Sequence, residues 1–248
     1  MNGIVGIIFL DIERLWINRN RVLMSLVQPL LYLFVLGSGL GASAHFENGG
    51  YQKYIYPGIV ILTLLFNSSS AAIGIVVDRQ VGFLKALLVA PVSRNAIAFG
   101  KILSGALQAM VIAILLLLLA PFVGVTFTVA TFVKFVLAMA LSAVVFSALG
   151  VGFAARLSAI TSFPVFTNTI LLPMFFLSGA IYPLDNVPAW LRALAYIDPV
   201  AYGVDLLRGS LSGHYVFPVP LSLLVLVGFL LAFAYSAVRV FDGRGGDD

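Results

Sequence analysis

Ile102 to Val125 reads ILSGALQAMVIAILLLLLAPFVGV, a run without a single ionisable side chain. As a helix it is long enough to cross the ~30 Å hydrocarbon core of a bilayer, where every backbone N–H and C=O must be satisfied within the segment. Working outward, comparable apolar runs occupy Val22–Gly41, Ile55–Val77, Phe132–Ala155, Ile160–Ile181 and Val219–Val238. Each approaches the ~20 residues a spanning helix needs. The fold class these runs predict is an all-α integral membrane protein with about six transmembrane helices.

Composition supports this. Hydrophobic residues make up 61% of the 248 and charged residues only 10%, against roughly 25% in an average soluble domain. So few charges cannot cover a water-facing surface. Cysteine is absent, which excludes disulfides and thiolate metal sites. The apolar start Ile4 to Leu10 runs directly into Asp11, Glu13 and Arg14 without a basic leader, so it is expected to be retained. The net charge of +4 does not point to nucleic acid, because the basic residues lie scattered between the apolar runs.

Their distribution sets orientation instead. With both termini in the cytoplasm, Arg14, Arg19, Arg21, Arg79, Lys85, Arg94, Lys101, Arg156, Arg239 and Arg244 lie inside, and Lys53, Lys134, Arg192 and Arg208 outside. Ten against four is a positive-inside bias, which predicts an N-in, C-in chain.

The connections carry further structure. Residues 1–21 read as an interfacial helix with Ile4, Ile7, Ile8, Ile12, Leu15 and Trp16 on one face and Asp11, Arg14 and Asn18 away from it; a solvated tail is the alternative. Pro29, Pro164 and Pro173 fall inside spans and predict kinks, since proline removes one intrahelical hydrogen bond. Residues 182–218 hold two pieces too short to cross. Pro188 opens the first, with Asn186 or Val187 near its cap; Asp198-Pro199 caps and opens the second, Val200 to Arg208, with Gly209 as its stop. No internal repeat appears, and 1–248 reads as a single domain.

Residues 78–94 read DRQVGFLKALLVAPVSR between the second and third spans. As a helix this segment aligns Val81, Leu84 and Leu88, with Leu87 alongside, as an apolar ridge between charged flanks. Such a ridge suits the groove of a partner or the surface of a bilayer, and periodicity does not separate the two.

Here the chain resembles a family. Asp78-Arg79, then Gly82, Leu87-Leu88, Pro91-Val92-Ser93-Arg94 and Gly100-Lys101 look like the signature of type-2 ATP-binding-cassette (ABC-2) transporter permeases. Gln28-Pro29-Leu30-Leu31 with Gly37, Gly39 and Gly41 is similar to the first span of the daunorubicin-type and nodulation-type branches. Leu177 to Leu184, Pro188, Trp190-Leu191 and Asp198-Pro199 through Tyr202 to Arg208-Gly209 resemble the family's C-terminal outer segment. The likeness covers roughly residues 7 to 240.

The resemblance implies that residues 78–101 form a cytoplasmic coupling segment. In it Asp78, Arg79, Gly82, Leu84, Leu87, Leu88, Pro91 and Arg94 would meet a separate nucleotide-binding ATPase subunit, present in two copies. It also implies two short re-entrant outer helices, with Pro183, Trp190, Asp198, Pro199, Tyr202 and Arg208 forming an outer gate. A second copy of the chain, or a homologous permease, would complete the pathway. The setting would be a bacterial or archaeal plasma membrane. Family members more often carry an acid at Gln80, Thr at Phe83 and Glu at Lys85, so polar contacts to the ATPase differ here.

No energy site is present in the sequence. Gly100-Lys101 is followed by Ile102 and lacks the spacing of a phosphate-binding loop. ATP and Mg2+ are therefore expected in the partner ATPase, with no cofactor, metal or catalytic residue in this chain. His45 and His214 stand without metal-spaced ligands. Asp205 and Arg208, at i and i+3, read as a local ion pair. No acid or base is placed firmly within the spans, which argues against a proton-coupled carrier. Asn67, Ser68, Ser69, Thr167 and Asn168 are polar residues within spans, serving either as interhelical glue or as lining of a substrate route. Asn67-Ser68-Ser69 matches the glycosylation pattern but lies within a span. The expected function is export of a hydrophobic or amphipathic compound, with a polysaccharide or lipid-linked oligosaccharide as the alternative cargo and an ATPase-independent channel or carrier as a remote one.

Overall fold

The computed structural model describes residues 3–17, 19–41, 50–80, 93–154, 156–157 and 159–243. Among these residues the elements are helical, and six helices are long and apolar enough to cross a membrane. Helix α1 is Gly3–Ile17. The first span, α2, runs Arg19–Leu31, widens into a π turn at Tyr32–Leu36 and continues through Gly37–Gly41. The second, α3, joins Gly50–Ala71 to Ile73–Gln80 across a turn at Ala72. The third and fourth, α4 and α5, are Arg94–Leu117 and Val129–Ala154. The fifth, α6, is composite: a 3-10 turn at Ile160–Ser162, Phe163–Phe166, a π turn at Thr167–Leu171 and Leu172–Leu177. Then come α7 (Ala189–Ile197), α8 (Pro199–Ser212) and the sixth span, α9 (Val219–Gly243).

Spans α3, α4 and α5 pack on one another as the centre, and α5 also carries α8 and α9. Spans α2, α6 and α9 leave most of their surface outside the bundle. Small residues let the central helices approach closely. A Cβ added at Gly150 on α5 would sit 2.6 Å from the Ser69 Cα on α3, so only glycine fits at this crossing. Around it lies a core of Ile59, Leu62, Leu65, Phe135, Met139 and Phe146, all buried.

The internal prolines shape the outlying spans. Pro29 lies within α2 just before the π turn, and Pro164 stands three residues before the π turn of α6. Each missing N–H is followed by a switch to wider i→i+5 turns instead of a break, and Pro173 stands two residues past the π turn of α6.

Three sequence expectations are corrected. Helix α1 turns Asp11 inward, not outward. Ile7, Asp11 and Arg14 share a stripe packed against α4, while Val5, Phe9, Leu10 and Ile17 are exposed on other faces. The inward pull comes from an ammonium group on α4, described below. Second, α8 does not stop at Gly209. It runs on to Ser212 and ends at Gly213, whose φ of +75° is the left-handed conformation a helix stop requires. Gly209 serves packing instead, leaving room for the ring of Tyr215. Third, Asp205 and Arg208 do not form a direct ion pair. Asp205 accepts from the backbone N–H groups of Val216 (2.8 Å) and Phe217 (3.1 Å), and Arg208 reaches the carbonyls of Gly179 and Ala180.

Candidate functional site

The bundle end that carries α1 holds a buried charge cluster. Lys101, one turn into the apolar part of α4, is 8% exposed, and its ammonium donates to both carboxylate oxygens of Asp11 at 3.1 Å. It also lies 3.0 Å from Oδ2 of Asp78 at the end of α3. Arg14 closes the ring at 3.2 Å from Asp78 and 3.6 Å from Asp11, and Ser104 donates to Asp11 at 2.8 Å. Gln108 extends the network to Ser104. Two carboxylates meet two cations, and in a poorly solvated site such charges persist only when paired and hydrogen-bonded. The segment that opens with Asp78 and closes with Lys101 is thus fastened at both feet to α1.

Of the residues assigned to coupling, Asp78 is buried in this cluster. Arg79 and Arg94 fall on the last turn of α3 and the first residue of α4, after the Ser93 cap, whose hydroxyl accepts from Ala96 N–H at 3.3 Å. Gly82, Leu84, Leu87, Leu88 and Pro91 lie outside the described residues. The sequence reading missed Asp11 and Lys101 as partners. The available signal was a lysine and an aspartate each at the margin of an apolar run, but no spacing links residues 90 positions apart.

Beside the cluster is a cavity of about 580 Å3 between α1, α2 and α3. Asn67, Ser70 and Gln28 give it polar groups, Phe66, Met24 and Val77 apolar ones, and Arg14 and Asp78 close one end. Asn67 is held in place by donating to the Thr63 carbonyl at 2.9 Å. Ser68 bonds within α3 and Ser69 across to α5. Both are buried; Ser68 donates to Leu64 O at 2.5 Å and Ser69 to Phe146 O on α5 at 3.4 Å. Thr167 and Asn168 do not line this cavity. They sit on the π turn of α6, with the Thr167 hydroxyl buried and without a hydrogen-bond partner and Asn168 exposed.

At the opposite end, Asp198, Pro199, Tyr202 and Arg208 are spaced along α8, and Trp190 on α7 is 64% exposed. Asp198 caps α8 by accepting from Val200 N–H at 2.9 Å, and Pro199 fills the first turn. Burial pushes the Asp198 carboxyl up to about 8, the capping bond opposing only part of that. Tyr202 donates to Tyr196 O at 2.8 Å and packs on Phe217. Pro183 precedes a 3-10 turn at Leu184–Asn186. Arg208 donates to Gly179 O and Ala180 O, both at 3.1 Å, just past the end of α6. Desolvation lowers its pKa from the usual guanidinium value, and burial raises that of Asp205. The paired short helices are therefore bolted to the exit of the fifth span.

The comparisons with known proteins fit this architecture. The chain is similar to the inner membrane transport permease YadH of Escherichia coli K12, 27% identical over 89% of this chain and 86% of that one. It is 28% identical to the transport permease ycf38 of Cyanophora paradoxa over 81% of this chain and 72% of its relative. It is also 26% identical to nodulation protein J of Rhizobium leguminosarum bv. viciae, over 85% and 82% respectively. The family described as ABC-2 type transporter matches residues 7–212, from the inward face of α1 to the last turn of α8. With six membrane-competent helices, this multi-pass chain belongs to the ABC-2 type transporter family and is a transport permease.

Proposed function

We propose that this permease is the membrane subunit of an exporter that moves a hydrophobic or amphipathic compound, such as a drug, lipid or glycolipid, out of the cytoplasm or inner leaflet. A separate ATPase subunit drives it, binding at Asp78 to Arg94. The observation that carries this reading is the cluster of Asp11, Lys101 and Asp78. It fastens Asp78 at the start of that segment, and Lys101 two turns beyond Arg94, to α1, so force applied to the segment passes to α1, α3 and α4 together. The charges at this end face the cytoplasm by the positive-inside bias.

The cargo assignment rests on the cavity beside the cluster. Its aromatic and aliphatic wall with a few amides and hydroxyls suits an amphipath better than a heavily hydrated polymer. A second permease subunit is supported by α6. Asn168 and Thr169 are exposed within an apolar span, where hydrocarbon would leave their polar groups unsatisfied and a protein or water neighbour would not.

Leu84→Asp tests the docking claim. Co-purification of a P-loop ATPase with the wild-type permease, lost in the variant along with ATP-driven export of a lipophilic dye, supports it. Unchanged pairing and export would remove the coupling assignment, and ATP-independent dye flux through the permease alone would replace it with a channel.

A further inference from the structure

A second cavity, of about 480 Å3, opens at the end of the bundle away from the charge cluster, between the start of α3, the turn after α4 and the short outer helices. Its deep wall is Arg208. The guanidinium carbon stacks 3.9 Å from the centroid of the Tyr54 ring, and one terminal nitrogen serves both the Gly179 and Ala180 carbonyls. These partners are neutral. The Nε atom is buried and has no hydrogen-bond partner, and Asp205, the nearby carboxylate, is already turned to two backbone amides. Asp205 balances this cation only through space, without a direct ion pair, so the Nε donor remains open to a further anionic partner.

A second cation stands at the mouth. Lys53 is exposed, and its side chain crosses the face of Gly124. A Cβ at that glycine would lie 3.1 Å from the lysine Cε, so the missing side chain leaves room for the stem to reach the cavity. Pro57, Val125, Leu184 and Leu211 give the lining its apolar part, and Thr126, Ser212 and the amide-bonded Asp205 its other polar groups. Asp185 and His214 sit on the rim.

We infer that this cavity binds a compact anionic group, a phosphate or carboxylate, held by Arg208 in depth and Lys53 at the entrance, with the apolar walls taking the adjoining chain of an amphiphile. Phosphate and carboxylate match a guanidinium with a free edge, and Lys53 adds a point charge. The anion arrives either as a lipid headgroup or as a free solute. The inference stands apart from the export reading, since it needs no ATPase.

The test uses the whole permease in phosphatidylcholine nanodiscs containing phosphatidic acid, whose headgroup is a single phosphate monoester. Native mass spectrometry then counts the lipids retained on the ejected protein. Wild type is expected to keep phosphatidic acid over phosphatidylcholine, and Lys53→Gln to lower that preference by about tenfold. Lys134→Gln, which removes an exposed charge from α5 outside the cavity, is expected to leave it unchanged. Arg208→Gln should abolish the preference, but it also loses the Gly179 and Ala180 anchor, so the Lys53 variant decides. In discs without phosphatidic acid, inorganic phosphate is added and thermal unfolding followed. Protection of wild type but not of Lys53→Gln shows the same chemistry supplied by a soluble anion. No lipid preference together with no phosphate protection, or equal effects of the Lys53 and Lys134 variants, overturns the inference.

Discussion

The Nζ of Lys101 lies 3.0 Å from Oδ2 of Asp78, although 23 residues separate them. The contact ties the exit of one span to the entrance of the next. It brings the polypeptide between them to a common root, and Asp11 fastens that root to the amino-terminal helix.

Replacing the lysine therefore leaves two buried carboxylates sharing the single, half-exposed Arg14. Lys101→Met is expected to cost about 3–5 kcal/mol, the usual penalty for breaking a buried pair from one side. Thermal unfolding in detergent measures it. Adding Asp11→Asn and Asp78→Asn should restore much of the loss, because the uncompensated charge has gone; a triple variant as unstable as the single one contradicts the pairing.

The crossing of α3 and α5 makes a steric prediction. Gly150→Ala drives a methyl group into the Ser69 backbone, 2.6 Å away, and should destabilise by about 1–3 kcal/mol. Gly228→Ala on α9 has open space around it and should be neutral or slightly stabilising, by up to about 1 kcal/mol. Paired unfolding curves of the two variants make the comparison.

Asp205 holds the chain that follows α8. Asp205→Ala strips the acceptor from the Val216 and Phe217 N–H groups and is expected to cost about 1–3 kcal/mol. Faster amide hydrogen exchange at 214–217 should accompany the loss. Asp205→Asn keeps one acceptor and should fall between the two.

Asp198 gives a pH dependence with a definite sign. Its folded pKa of about 8 lies above the ordinary value of 3.8, so the folded protein holds a proton that the unfolded chain has released. The contribution of this group to stability is therefore greatest below pH 4, declines as pH rises through the window between those values, and levels above it, with a slope of at most about 1.4 kcal/mol per pH unit. Asn at 198 can still accept from Val200 N–H but cannot titrate. Unfolding midpoints of Asp198→Asn across pH 5–8 should show that much less slope than wild type.

The six spans were legible because hydrophobic length is a property of composition within a short window, and Val22, Val219 and their neighbours need no partner to be read. The cap at Asp198 was legible for the same reason: a side chain bonding two residues away leaves a local trace. Asp11 was not. Its inward turn depends on Lys101, and an amphipathic pattern read from α1 alone assigns any carboxylate to the outside. Gly209 misled in the opposite way, since a glycine can end a helix or make room for a ring, and only the position of Tyr215 separates the two. Asn67 was found as polar, but which side of α3 meets a cavity depends on how α2 packs beside it.

The wide turn at Thr167–Leu171 has a consequence for how the fifth span is mapped. One additional residue within a turn advances the azimuth of everything beyond it by about 100°. A helical wheel drawn straight from Phe163 to Leu177 thus misplaces Met174 and Phe175 relative to Val165. Accessibility scanned by single cysteines along this helix should show a clean 3.6-residue rhythm on each side of the turn, with a phase jump between them.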